Sequence, residues 1–270
     1  MKNFTNKNVL ITGASMGIGA EFARQLAAQK ANLLLTARST ARLQNLAEQL
    51  TQEFAVQVRV YPQDLAAPGA AQKLFDRIQQ EQVPVDVLIN NAGFGKWGYF
   101  EEYDASVYAE MINLNVRALV ELTRLFVSQM LANGEGAILN VASNAGFQPV
   151  AFLNVYAATK AFVLSFSEAL WAEYRHRGIA VTALCPGATV SNFHAVANAN
   201  SEIVKKFDPV EMVVAKGLQA LLAGKPSVVT GWLNWVAARS TRLFTRRFLA
   251  KLTYRMFRPK SAADPSGQHR

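Results

Sequence analysis

Val9-Leu-Ile-Thr-Gly-Ala-Ser-Met-Gly-Ile-Gly19 runs from a short apolar stretch, through a turn with glycines at positions 13, 17 and 19, into a helical pattern over residues 18–30. A strand that enters a helix through such a turn aims the free N–H groups of the helix N-terminus at an anion. Gly13 permits the tight turn, Gly17 lets the backbone approach phosphates, and Gly19 allows helix and strand to pack closely. The stretch therefore predicts the first crossover of a dinucleotide-binding sheet.

Working outward, short apolar runs at 9–12, 32–37, 56–61, 87–90, 137–141 and 179–185 read as buried strands bounded by turn residues. Helical periodicity fills the intervals 18–30, 40–52, 69–82, 107–131 and 155–177. Strict alternation of this kind implies an α/β chain, a Rossmann-type doubly wound parallel sheet flanked by helices. Ligands of such sheets bind beyond the carboxyl ends of the strands. Gly13, Asn91, Ser143 and Pro186 all follow strand ends there. Residues 1–231 read as one catalytic domain and 232–270 as a basic amphipathic tail. Its last part, 261–270, has the polar, Pro- and Gly-containing composition of a frayed terminus.

The chain has 270 residues, 51% of them hydrophobic, enough for a substantial core. Cys185 is its only cysteine, and His176, His194 and His269 form no ligand-spaced cluster, so no metal site is expected. The net charge is +9. Residues 232–270 hold nine Lys and Arg against Asp264, a net of +8, which leaves +1 for the rest. The core shows no basic stripe of the kind that tracks nucleic acid, and no nucleic-acid partner is expected. Only the short run 9–12 follows the first eight residues, so no secretory signal is legible and a cytoplasmic location is expected. No apolar run approaches the roughly 20 residues needed to cross a bilayer.

The end of the second strand bears on cofactor choice. An NAD site places a carboxylate there for the adenosine ribose, whereas NADP requires a cation for the 2′-phosphate. Leu33-Leu-Leu-Thr-Ala-Arg-Ser-Thr40 holds no acid and carries Arg38 at its tip, which favours NADP(H). Farther along, Tyr156 and Lys160 stand four apart on a predicted helix and so share a face. A cation beside a phenol lowers its pKa from about 10, which would let Tyr156 exchange a proton near neutral pH. Ser143 lies thirteen residues upstream of Tyr156.

These motifs, in this order over residues 7–229, resemble the short-chain dehydrogenase/reductase family, and the subgroup of ketoacyl and hydroxysteroid reductases within it. The resemblance assigns Asn115, Ser143, Tyr156 and Lys160 as the catalytic tetrad. It assigns cofactor contact to Gly13, Ser15, Gly17, Ile18 and Gly19 in the turn, to Arg38, to Asp64 and Leu65, and to Asn91, Ala92 and Gly93. Tyr156, Lys160, Pro186, Gly187 and Thr189 complete that set. Ser191 stands where the family commonly has Thr, and Ala142 where it commonly has Ser. The implied reaction is reduction of a ketone or aldehyde by NADPH: Tyr156 gives a proton to the oxygen, Ser143 hydrogen-bonds it, Lys160 tunes the tyrosine and Asn115 positions a water. Ser143 and Tyr156 are thus the substrate contacts. The same residues serve alcohol oxidation in reverse, and a cofactor-binding scaffold without turnover is the remaining reading.

On the substrate side, Phe94, Trp97, Phe147, Phe152, Leu153, Val190, Phe193 and His194 suggest a hydrophobic substrate. In the tail, Phe248, Leu249, Leu252 and Met256 share a helical face flanked by Arg247, Lys251, Arg255 and Arg258. That pattern fits a stripe packed on the core or on a second subunit, and also peripheral membrane contact through residues 232–258. The resemblance implies a homodimer or homotetramer.

Overall fold

The computed structural model describes residues 1–189 and 207–259. Among them, β1 (Asn8–Thr12), β2 (Asn32–Ala37), β3 (Val58–Pro62), β4 (Val87–Asn90), β5 (Gly136–Val141), β6 (Ile179–Cys185) and β7 (Ser227–Val229) form one sheet in the order β3-β2-β1-β4-β5-β6-β7. Every neighbouring pair is parallel. The crossovers are α1 (Gly17–Ala28), α2 (Thr40–Phe54), α3 (Ala70–Gln80), α4 (Ala105–Ile112), α5 (Leu119–Asn133), α6 (Asn154–Tyr174) and α7 (Val210–Leu222); α8 (Trp232–Ser240) and α9 (Arg246–Phe257) follow β7. The doubly wound parallel sheet expected from the alternation is what forms.

Both sheet faces are buried, which explains why the strands read as continuous apolar runs. Val9 and Ile11 of β1 pack with Phe22 and Leu26 of α1 on one face, where Leu43 of α2 and Val214 of α7 join them. Leu10, between them in sequence, points the other way, toward Leu74 of α3 and Phe126 of α5. The order in which successive strands are added reverses between β1 and β4. Their carboxyl ends therefore open a crevice at the point where a ligand can sit.

Three elements depart from the sequence expectation. The predicted helix 107–131 is interrupted by a π-helical turn, Asn113–Ala118, which joins α4 to α5. Such turns leave the regular hydrogen-bond ladder and cluster at functional sites. The pair α7 and β7 was not anticipated, because β7 has only three residues and starts just after Pro226. Residues 190–206 and 260–270 lie outside the described residues, and with them the expectations for Val190, Ser191, Phe193, His194 and the frayed terminus.

Candidate active site

The glycine turn is shaped by contact as well as by conformation. Gly13 and Gly17 adopt φ of +66° and +56°, the left-handed region. A Cβ on Gly19 would lie 2.2 Å from the Gly13 carbonyl oxygen. Around the turn, Asn91 Nδ2 donates to Thr12 O (2.9 Å) and Gly13 O (3.2 Å), while Thr12 Oγ1 accepts from Asn91 N (3.0 Å) and Ala92 N (2.9 Å). These bonds pin the end of β1 to the end of β4. The α1 N-terminus has no side-chain cap and no acidic residue in its first turn, so its partial positive charge faces the crevice unopposed. A pyrophosphate fits that environment.

Toward the outer end, Arg38 follows β2 with a side chain 67% exposed and reaches Glu110 Oε1 of α4 at 3.3 Å. Arg42, in the first turn of α2, lines the same crevice and is not among the residues assigned from the sequence. Its signal was present, since it stands four residues beyond Arg38 across the capping position Ser39. Asp64 Oδ1 accepts from Ala66 N at 3.1 Å, a turn that holds the carboxylate at the crevice wall beside buried Leu65.

The opposite end carries the chemistry. Ser143 leaves β5 in extended conformation and its Oγ accepts from Ala145 N (3.1 Å), opening a short 3₁₀ turn, Asn144–Phe147. Tyr156 and Lys160 project from α6, and Tyr156 is hydrogen-bonded to Ser143. Burial pushes the Tyr156 phenol up to about 12, and the Ser143 bond opposes this. Burial lowers Lys160 to about 8. The Nζ donates to Val141 O at 2.7 Å and lies 5.7 Å from the centre of the Tyr156 ring. The expected lowering of the phenol by its cationic neighbour is therefore not met in this arrangement: desolvation dominates, and the ammonium is turned to a backbone carbonyl over the ring.

Asn115 sits inside the π turn and is buried. Its Oδ1 accepts from Phe94 N (3.0 Å), and its Nδ2 donates to Phe94 O (2.9 Å) and Thr159 Oγ1 (3.1 Å). Thr159 in turn donates to Tyr156 O at 2.7 Å. These partners place the Asn115 side chain behind the crevice, clamping the loop after β4 to the helix that carries Tyr156 and Lys160. Gly93 closes the remaining space, since a Cβ there would meet Asn115 Oδ1 at 2.9 Å and Lys160 Nζ at 3.5 Å.

All these groups border one cleft of about 660 Å³. Gly13, Ser15, Gly17, Ile18, Arg38, Asp64, Leu65, Asn91, Ala92, Gly93, Ser143, Tyr156, Lys160, Pro186, Gly187 and Thr189 line it. Gly19 and Asn115 support it from behind. Pro186 O accepts from Asn144 N (2.8 Å), Ala188 O accepts from Asp208 N (2.8 Å), and Asn234 of α8 packs directly on Gly187. The inner end is lined by Phe94, Phe147 and Leu153, and by Met256 and Phe257 of α9. The tail thus contributes a wall of the cleft, which the sequence left open among three placements. Trp97 and Phe152 stand behind that wall instead. Trp97 Nε1 donates to Phe257 O (3.0 Å), and the Phe152 ring contacts Tyr99 and Tyr254 at 5.1 and 5.3 Å.

A sequence profile described as short chain dehydrogenase matches residues 7–215. The chain belongs to the short-chain dehydrogenase family. Among curated relatives of this short-chain dehydrogenase, the very-long-chain 3-oxoacyl-CoA reductase of Anas platyrhynchos is 31% identical over 86% of the chain and 76% of the relative. The ketoacyl reductase HetN of Nostoc is 35% identical over 69% of the chain and 65% of its own length. Among solved structures, a short-chain dehydrogenase from Sphingobium yanoikuyae in complex with NADPH is 32% identical, with a TM-score of 0.80 over 96% of this chain and 99% of its own. A bulky-bulky ketone specific alcohol dehydrogenase from Comamonas testosteroni is 28% identical, with a TM-score of 0.76 over 98% and 100%.

Proposed function

We propose that the protein uses NADPH to reduce a hydrophobic ketone or aldehyde to the alcohol. The observation that carries this reading is the arrangement of charged and reactive groups along the cleft. Ser143, Tyr156 and Lys160 meet at its inner end, while Arg38 and Arg42 stand at its outer end. The neighbours solved with NADPH support the same choice of cofactor.

In this reading the α1 N-terminus holds the pyrophosphate, Arg38 and Arg42 pair with the 2′-phosphate, and Asp64 accepts from the adenine amino group. When bound, NADPH would supply the hydride that reduction of the carbonyl carbon requires. Ser143 Oγ donates to the carbonyl oxygen and keeps it within reach of Tyr156. With a pKa pushed up to about 12, Tyr156 is protonated at neutral pH, the form a proton donor needs. Lys160, whose Nζ lies over the tyrosine ring and donates to Val141 O, is the residue that would hold the nicotinamide ribose. Asn115 acts by positioning, through Phe94 and Thr159. The Phe94, Phe147, Leu153 and Phe257 lining selects an apolar substituent on the carbonyl.

Assembly as a homodimer or homotetramer is proposed through α4 and α6, where Ile112 and Phe162 expose apolar surface and Phe162 stacks on Phe166. Sedimentation velocity on the purified protein reads it. The functional test follows NADPH oxidation against aliphatic, aromatic, steroid and acyl-thioester carbonyls, with NADH in parallel. The expected result is turnover of at least one hydrophobic carbonyl with NADPH preferred by at least about tenfold in kcat/KM, the equivalent of about 1.4 kcal/mol. Equal use of NADH would remove the role given to Arg38 and Arg42.

A further inference from the structure

We propose that α8 and α9 form a docking surface for an anionic lipid bilayer, and that docking sets the substrate end of the cleft against the membrane. Delivery of a lipophilic carbonyl by this route rests on the reductase reading, whereas docking itself does not. Between Trp232 and Pro259 the sequence carries seven cations and no Asp or Glu. Apart from Phe100, Ile112 and Phe162, every large hydrophobic side chain left exposed among the described residues also lies there. Trp232 is 74% exposed and Leu243 83%.

The exposed residues of α9 are not a core stripe that has lost its partner, because α9 already has a packed inner face. Leu249 and Thr253 are buried, and Thr253 Oγ1 accepts from Ala151 N (3.2 Å) and donates to Pro149 O (3.1 Å). Phe248, Leu252 and Met256 follow at i, i+4 and i+8 on a second, exposed face. Arg247, Lys251 and Arg255 precede each of them by one residue and flank that stripe with charge. An apolar stripe edged by cations is the surface that lies in a lipid headgroup layer, with side chains in the acyl boundary and guanidinium groups among phosphates.

Charge selects the bilayer over a second copy of the chain. A two-fold interface would set this segment against itself, seven cations facing seven with no carboxylate between them. The aliphatic tips of Leu243 and Leu252 have no use in a phosphate-lined nucleic-acid groove, but do in hydrocarbon. Met256 joins the two surfaces, since it lines the cleft and is 57% exposed. The substrate end of the cleft and the docking stripe therefore meet at Met256.

The test is co-sedimentation of the full chain with vesicles of phosphatidylcholine alone and of equimolar phosphatidylcholine and phosphatidylglycerol, at low and high salt. Binding is expected only to the anionic vesicles and to weaken with salt. The Arg247→Glu/Lys251→Glu and Trp232→Ser/Leu243→Ser variants should each lower the partition coefficient by at least about tenfold. Reduction of a small water-soluble ketone, measured on the same preparations, should not change. Failure of the wild-type chain to pellet with anionic vesicles overturns the proposal, as does equal pelleting with neutral ones. Undiminished vesicle binding by both variants overturns it too. Loss of a defined oligomer in Trp232→Ser/Leu243→Ser with vesicle binding unchanged would assign the face to a second copy instead. If vesicles bind as described while no carbonyl is reduced by any preparation, docking stands and the reductase reading falls.

Discussion

Lys160 shows how the fold trades stability for a site. Burial lowers its pKa from 10.5 to about 8, and one pKa unit is worth about 1.4 kcal/mol. The charged lysine therefore costs the folded chain about 3 kcal/mol at neutral pH. The unfolded lysine keeps its proton up to 10.5 and the folded one loses it above about 8. Below pH 8 both states carry the proton and the penalty is full. Between pH 8 and 10.5 the unfolded chain holds the extra proton, so stability rises with pH and the penalty fades. Lys160→Met removes this dependence, whatever constant effect follows from losing the 2.7 Å bond to Val141 O. The expected result is that the stability of Lys160→Met relative to the wild type falls by about 2–3 kcal/mol between pH 7 and pH 10. Paired urea unfolding of the cofactor-free proteins measures it; contributions from groups not coupled to Lys160 cancel in the difference, and the Cys185→Ala background removes the coupled thiol. A difference flat across that range would refute the buried, destabilised lysine; a difference that grows with pH would reverse its sign.

Three further outcomes follow from the same geometry. Gly19→Ala sets a Cβ 2.2 Å from the Gly13 carbonyl, so α1 must shift off the turn; NADPH affinity by fluorescence titration should fall by at least about tenfold. Ser143→Ala removes the donor to the substrate oxygen and should lower kcat by about 10²–10³-fold. Thr253→Val deletes the bonds to Ala151 N and Pro149 O and should destabilise α9 locally by about 1–3 kcal/mol; faster hydrogen exchange over residues 246–257 and a raised KM for bulky ketones would register it.

The parts of the structure that were legible in the sequence are those fixed by local chemistry. Gly13, Gly17 and Gly19 demanded a strand, turn and helix in succession, and the alternating apolar runs demanded a parallel sheet. Tyr156 and Lys160 meet Ser143 because the end of β5 and the first turns of α6 converge over the same strand ends. Other features depended on distant parts of the chain. The π turn at Asn113–Ala118 leaves no mark on periodicity, yet it accompanies an Asn115 that bonds Phe94 and Thr159. The three residues of β7 are too few to show a pattern, and they pair with β6 only in the assembled sheet. The relation of Tyr156 to Lys160 is not legible in the spacing for the same reason. Spacing predicts that two side chains are neighbours, but burial by the surrounding chain sets which way their pKa values move. The tail was ambiguous in sequence because one face of α9 packs and the other does not, and each face alone fits a different reading.

The most direct test of the central claim is Tyr156→Phe, assayed for NADPH-dependent carbonyl reduction beside a titration of NADPH binding. Phenylalanine keeps the ring against Lys160 and removes only the proton donor. The expected result is loss of turnover by about 10²–10⁴-fold with NADPH affinity close to that of the wild type. Turnover within a few-fold of the wild type, with NADPH bound normally, would contradict the assignment of Tyr156 as the acid and with it the mechanism built on this cleft.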